Sequence, residues 1–263
     1  MGLGVRGIGR LVLPVVLSAL CLPGVPGCGG SSPPVRMDPE DQLEFCRRTC
    51  EQGKPLRAIP SLQDLVLNYP GTPEGVEAQY LLGESYRRTE QYDLARKAYQ
   101  DLVREYPNST YRDEAQLKIG VTYFEESLPP EYDQEMTYKA MEEFEVFLAD
   151  YPNSPVRGEA EDWLRMCREK LAKKMYLNGK LYLKMGYTAA ARHTFQRILD
   201  RHPASESAAP AILGIARSYL REKKRTEAEA ALDRLIDEFP GTPEARIGRD
   251  TLEDLRGRPE GQG

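Results

Sequence analysis

Apolar residues along most of this chain recur at spacings of three and four, the period that puts one buried stripe on an α-helix. The run Ala95, Ala98, Tyr99, Leu102 and Val103 shows the stripe plainly. Stretch after stretch closes on a ring residue followed by proline: "YPGTP" from 69, "YPNST" from 106, "YPNSP" from 151, "HPASE" from 202 and "FPGTP" from 239. Proline has no amide hydrogen and pushes the residue before it away from helical geometry, so each of these sites ends a helix. Thr72 before Pro73, Ser154 before Pro155 and Thr242 before Pro243 then put an N-cap hydroxyl ahead of a first-turn proline. The next helix is expected to start at once.

Pro70, Pro107, Pro152, Pro203 and Pro240 recur 37, 45, 51 and 37 residues apart, which is a helical-pair period with two insertions. The second copy carries Gly83, Tyr86, Ala95, Tyr99 and Pro107, at offsets of 3, 12, 16 and 24 from the glycine. The same offsets select Cys46, Thr49, Ala58, Leu62 and Pro70 in the first copy. They select Gly179, Tyr182, Ala191, Phe195 and Pro203 in the fourth, and Ala216, Tyr219, Ala228, Leu232 and Pro240 in the fifth. A small residue where two helices cross, an aromatic one turn on, then an alanine and a large residue from the second helix resemble the tetratricopeptide repeat. The fold class this implies is all-α, a right-handed superhelical solenoid of about five tetratricopeptide-like helix pairs.

The third copy departs from the pattern, because "ESLPPEYDQEM" from 126 lengthens the link between Gly120 with Tyr123 and Ala140 with Phe144. It reads as a loop bearing Pro129 and Pro130 that projects from one edge. From Pro155 to Met185 there is no further proline, so a helix of roughly 45 Å is expected there, with Trp163, Cys167 and Leu171 on its buried face. That helix divides residues 39–154, holding repeats one to three, from residues 155–256, holding repeats four and five. Residues 257–263 read as a disordered tail.

The first 27 residues differ in kind. Arg6 and Arg10 are their only charges, and Leu11 to Leu22 is nearly all apolar, which is the h-region of a signal peptide. Gly27 directly before Cys28, with Val25 three positions before it, resembles the bacterial lipobox. Cys28 would then carry lipid and begin the mature chain; an ordinary cleaved signal with an incidental cysteine is the other reading. Residues 28–38, rich in Gly, Ser and Pro, read as a flexible tether. Losing two arginines takes the formal charge from −5 to −7, which excludes a uniformly basic nucleic-acid surface.

Little points to catalysis. The two histidines, His193 and His202, have no partner at metal-ligand spacing, and there is no phosphate loop or serine elbow. A binding protein without metal or cofactor is therefore expected. Cys46 and Cys50, one helical turn apart, are either buried small residues or a strained disulfide. In solenoids of this kind the first helix of each pair lines a groove. Counting from the small residues nominates Leu43, Arg47, Tyr80, Glu84, Arg87, Leu117, Val121 and Phe124 as a groove for an extended peptide with apolar side chains and a carboxylate. The alternative is that they pack between helices. Lys173, Tyr176, Lys180, Lys184, Arg217 and Arg221 form a basic set fit for an acidic protein surface or an anionic headgroup layer, or are solvated surface.

A lipobox-like signal, a short tether and five repeats of the "YPNS" type together resemble the BamD (YfiO) family of outer-membrane assembly lipoproteins, over essentially residues 20–255. The segment "LAKKMYLNGKLYLKMGYTAAARHTFQRIL", from Leu171 to Leu199, is the most similar part. The resemblance implies a subunit of the BAM complex, facing the periplasm and held by lipid in the inner leaflet of the outer membrane. Its implied partners are a BamA-like POTRA and barrel protein, the other BAM lipoproteins and unfolded barrel precursors. It further implies that the groove of the first repeats receives precursor and that the last two repeats contact BamA. Gly29 fits sorting to the outer membrane. A pilotin lipoprotein for type IV pilus secretin assembly and a CpoB-like protein of the Tol-Pal system share parts of the pattern. They remain the rival readings.

Overall fold

The computed structural model describes residues 37–257. The expected signal peptide, the lipidation candidate Cys28, nearly all of the tether and nearly all of the tail lie outside the described residues. Eleven α-helices follow one another, and no strand occurs among the described residues. They are α1 (Pro39–Glu51), α2 (Pro55–Asn68), α3 (Pro73–Arg88), α4 (Tyr92–Glu105), α5 (Arg112–Glu126) and α6 (Glu135–Asp150). After them come α7 (Arg157–Lys184), α8 (Thr188–Arg201), α9 (Ala208–Arg221), α10 (Arg225–Glu238) and α11 (Pro243–Gly257). Each helix packs on the next, and the first helices of successive pairs also touch, α1 with α3, α5 with α7, α7 with α9 and α9 with α11. The result is an all-α solenoid of five helix pairs closed by α11.

The repeat core follows the sequence offsets. Ala58, Ala95, Ala140, Ala191 and Ala228 are all 0% exposed, and so are Leu62, Tyr99, Phe144, Phe195 and Leu232. Glycine is required at three of the repeat crossings. A Cβ on Gly83 would lie 2.5 Å from the Tyr99 ring, one on Gly120 2.6 Å from Phe144, and one on Gly179 2.4 Å from Phe195. Phe195 is also met from the other side by Gly214, at 2.5 Å. One ring thus fills the gap between α7 and α9.

The proline turns divide into two kinds. At Thr72 and Thr242 the hydroxyl accepts from the amide three residues on, Gly75 at 3.1 Å and Ala245 at 3.2 Å, and α3 and α11 begin on the following proline. Ser154 does not cap its helix. Its Oγ accepts from the Val156 amide at 3.4 Å, a bond within the turn, and α7 begins only at Arg157, leaving Pro155 outside. Ser109 behaves alike, accepting from Tyr111 ahead of α5.

One other expectation is corrected, and the repeats prove uneven in one feature. The link Ser127 to Gln134 does not project: Gln134 is 2% exposed, and its Nε2 donates to the carbonyls of Leu128, Pro129, Tyr132 and Asp133. Lys170 and Lys174 of α7 donate to Ser127 and Tyr132 and hold the link down. The repeat aromatic one turn past the small residue is also not always covered. Tyr86 is buried under Gln63, while Tyr123 and Tyr219 lie under the guanidinium groups of Arg96 and Arg192, at 4.3 and 4.5 Å. Tyr182 is 39% exposed.

The cause is the length of α7, 28 residues against 16 in α3, or about 42 Å. Helix α6 packs its Phe144 and Phe147 with Ala160, Leu164 and Cys167, in the first half of α7. Met141, which occupies the repeat position of Arg96 and Arg192, is spent in that cluster. The second half of α7 packs instead with α8 and α9, through Ala172, Tyr176 and Leu183.

Candidate functional site

Across α1, α3 and α5 the charged side chains are closed against one another. Arg47 on α1 makes a two-pronged pair with Glu77 on α3, at 2.5 and 2.6 Å. The Tyr80 hydroxyl donates to Glu114 on α5 at 2.5 Å, and its ring stacks on Tyr111 with centroids 5.0 Å apart. Arg87 donates to Glu84 at 2.9 and 3.1 Å and reaches Glu125 on α5 at 2.6 Å. Tyr99 donates to Glu84 from α4. Burial opposes ionisation of Glu84, but the hydrogen bonds from Arg87 and Tyr99 outweigh it and hold the carboxyl below its usual range.

Of the eight groove candidates, Leu43, Leu117 and Val121 are corrected: they are 3%, 0% and 2% exposed. They lie in the core, on the side of their helices that faces other helices, and offer nothing to a ligand. Tyr80 is buried apart from the rim of a small cleft that it shares with Glu84, Arg87 and Lys118. Arg47, Glu84 and Arg87 have their charges answered within the fold. The pairing of Cys46 with Cys50 also resolves: both are free, and Cys46 is buried, its thiol pushed up to about 11 by that burial.

Phe124 belongs to a different place. Between the Ser127 to Gln134 link, the middle of α7 and the start of α9 lies an open cleft of about 690 Å³. It is lined by Phe124, Pro129, Pro130, Met166, Lys170, Lys173, Tyr176 and Pro210, with Glu169, Glu206, Ser127 and Ser207. Structural bonds fix its walls. Lys170 Nζ donates to Ser127 Oγ at 2.6 Å and lies 5.0 Å from the Phe124 ring centre, and burial lowers its pKa. The Glu169 carboxylate accepts from the Glu206 amide at 3.1 and 3.2 Å. Lys173 is exposed and makes no ion pair among the described residues; its Nζ stands 5.7 Å from the Tyr176 ring centre. The ring itself packs on Phe195.

The basic set therefore splits. Lys173 and Tyr176 join Phe124 in the cleft, while Lys180 and Lys184 lie further along α7 toward its end. Arg221 donates to the Leu183 carbonyl and helps to satisfy the end of α7. Arg217 is exposed on α9. Met166, Lys170 and Pro210 were not legible as site residues, because the helix lengthening and the folded-back link bring them together. The inserted Pro129 and Pro130 were the available signal. Apolar walls with one open ammonium group suit an extended segment carrying an aromatic or aliphatic side chain and a carboxylate.

A family profile described as YfiO, outer membrane lipoprotein, matches residues 37–191 and again 172–249. The outer membrane protein assembly factor BamD of Caulobacter vibrioides is 29% identical over 121 residues, which is 46% of this chain and 40% of that protein. The matched stretch is thus less than half of that relative. Among solved structures, a tetratricopeptide repeat protein from Parabacteroides merdae is 20% identical, covering 83% of this chain and 73% of the other at a TM-score of 0.35. The TPR2AB domain of yeast Sti1 is 15% identical, covering 83% and 84% at a TM-score of 0.42.

Proposed function

The chain belongs to the YfiO family of outer membrane lipoproteins, and from that premise we propose that it works as a subunit of the machinery that assembles β-barrel proteins in the outer membrane. In this reading Cys28 carries the lipid that holds the protein to the inner leaflet, with the repeats in the periplasm and no cofactor. A BamA-like barrel protein, the other lipoprotein subunits and unfolded barrel precursors are its partners.

The observation that carries the reading is the cleft in which Phe124, Lys173 and Tyr176 converge. An unfolded precursor presents extended backbone with alternating apolar side chains, and a wide cleft with aromatic and proline walls binds such a segment without demanding one sequence. Lys173 orients it by drawing a carboxylate of the segment. The charge-closed face of α1, α3 and α5 serves as a stiff frame beside the cleft.

A photo-crosslinking residue in place of Lys173, in the full chain in cells, tests this directly. Adducts with barrel precursors are expected, together with co-purification of a POTRA-containing barrel protein. Recovery of a pilus secretin and no POTRA-containing protein overturns the reading.

A further inference from the structure

We propose that the tip formed by the end of α7 and the start of α8 is a membrane-contact surface that sets Leu181, Tyr182, Met185 and Tyr187 into the headgroup layer of an anionic phospholipid bilayer. These side chains are 54%, 39%, 56% and 58% exposed. They are one patch. Leu181 and Met185 stand one helical turn apart on the same face. Gly186, at φ +86°, turns the chain, and the Tyr187 amide then donates to the Tyr182 carbonyl at 2.9 Å, which folds the backbone of Tyr187 back onto the end of α7. The patch exists because α7 outruns α6, so that the repeat tyrosine loses the cover that Arg96 and Arg192 give its counterparts.

Charge selects the occupant. Residues 170–199 contain seven lysines and arginines and no acid, in a chain with 41 acids among 263 residues. Lys180 and Lys184 make no ion pair among the described residues, and Lys180 only overlies the Tyr176 ring. Glu222, which meets the start of α8 at Thr188, is also taken up by Arg192 and Lys224. Tyrosine rings, aliphatic side chains and lysines with long apolar stems are the mixture that partitions at the boundary between hydrocarbon and water. An acidic protein patch would answer the lysines and leave four large apolar side chains without partners. An anionic bilayer answers both.

The inference goes beyond the assembly reading and needs a bilayer within reach, but not the lipid on Cys28. The test uses the full chain with Tyr187→Trp, or with Val146→Trp as control, mixed with phosphatidylcholine vesicles with and without brominated phosphatidylglycerol. Val146 is exposed near the end of α6 that leads into α7, so it lies by the opposite end of that long helix. Emission is read as the difference from the unsubstituted chain, which keeps Trp163. Quenching at 187 and not at 146 is expected. With about 1 kcal/mol per surface lysine, Lys180→Gln with Lys184→Gln lowers the docked-to-free ratio roughly 30-fold. The same readings in Cys28→Ala separate loss of an anchor from loss of tip contact. Equal quenching at both positions, or none at 187, overturns the proposal, as does protection of 187 by an acidic partner protein alone.

Discussion

Helices α3 and α7 hold equivalent places in their repeats and use their charges in opposite ways. On α3, Glu77, Glu84 and Arg87 are answered from α1, α4 and α5, and little is left for a partner. On the second half of α7, Lys173, Lys180 and Lys184 rest on a tyrosine ring or stand in solvent, and none of them makes an ion pair among the described residues. The first helix has its polar groups committed to folding. The second is held by its apolar face, and its polar face is available for binding.

If α7 relies on its core, removing the core should cost most. Phe195 fills the space between Gly179 and Gly214, so Phe195→Ala leaves a cavity that two helices border. A loss of about 3–5 kcal/mol is expected in denaturant unfolding. A loss below about 1 kcal/mol would mean that something other than the core holds α7 in place.

The converse holds on α3. Arg87→Ala leaves Glu84, whose side chain is 13% exposed, with Tyr99 as its hydrogen-bond donor and the Arg88 guanidinium 3.8 Å away. A loss of roughly 2 kcal/mol is expected, set below the cost of breaking a fully buried pair because Arg87 is itself 18% exposed. Adding Glu84→Gln to Arg87→Ala should recover part of it, since the uncompensated charge is then gone.

Acid separates the same two regions. His202, between α8 and α9, has its pKa lowered by burial and by Arg168 and Arg201. Its folded form prefers the neutral ring, so its contribution is full above about pH 6.5 and is lost as the pH falls through its lowered folded value. Glu77, held low by the Arg47 bond, and Glu84 contribute fully above about pH 4.5 and lose that contribution as the pH falls through their own lowered values. Thermal unfolding followed by pH should show an earlier loss that His202→Asn removes, and a later one that Arg47→Ala reduces. A single transition unaffected by either change would contradict the assignment.

The core was legible because it is periodic: the offsets of 12 and 16 pick out eight side chains with no exposure, and the lengthened third copy adds Ala140 and Phe144. The site was legible only in pieces. Leu43, Leu117 and Val121 were misread because counting outward from a small residue gives a helix face but not which neighbour covers it. Ser154 was misread because an Asn before it and a Gly before Thr72 lead to different turns. The cleft needed the extra length of α7, which carries Lys170 under a link that the sequence shows only as an insertion.

The smallest effect is the most discriminating. Lys180→Ala with Lys184→Ala should change stability by no more than about 0.5 kcal/mol, since neither side chain has an ion pair to lose among the described residues. On α3 the Arg87 truncation has a clear cost, so the contrast lies within one assay and one fold. A large loss from the lysine pair would show that the open cations of α7 are structural after all, and the division between a committed helix and an available one would fail. No loss of stability, together with weaker membrane association in low salt that disappears as salt rises, is the pattern expected of charges kept for a surface outside the protein.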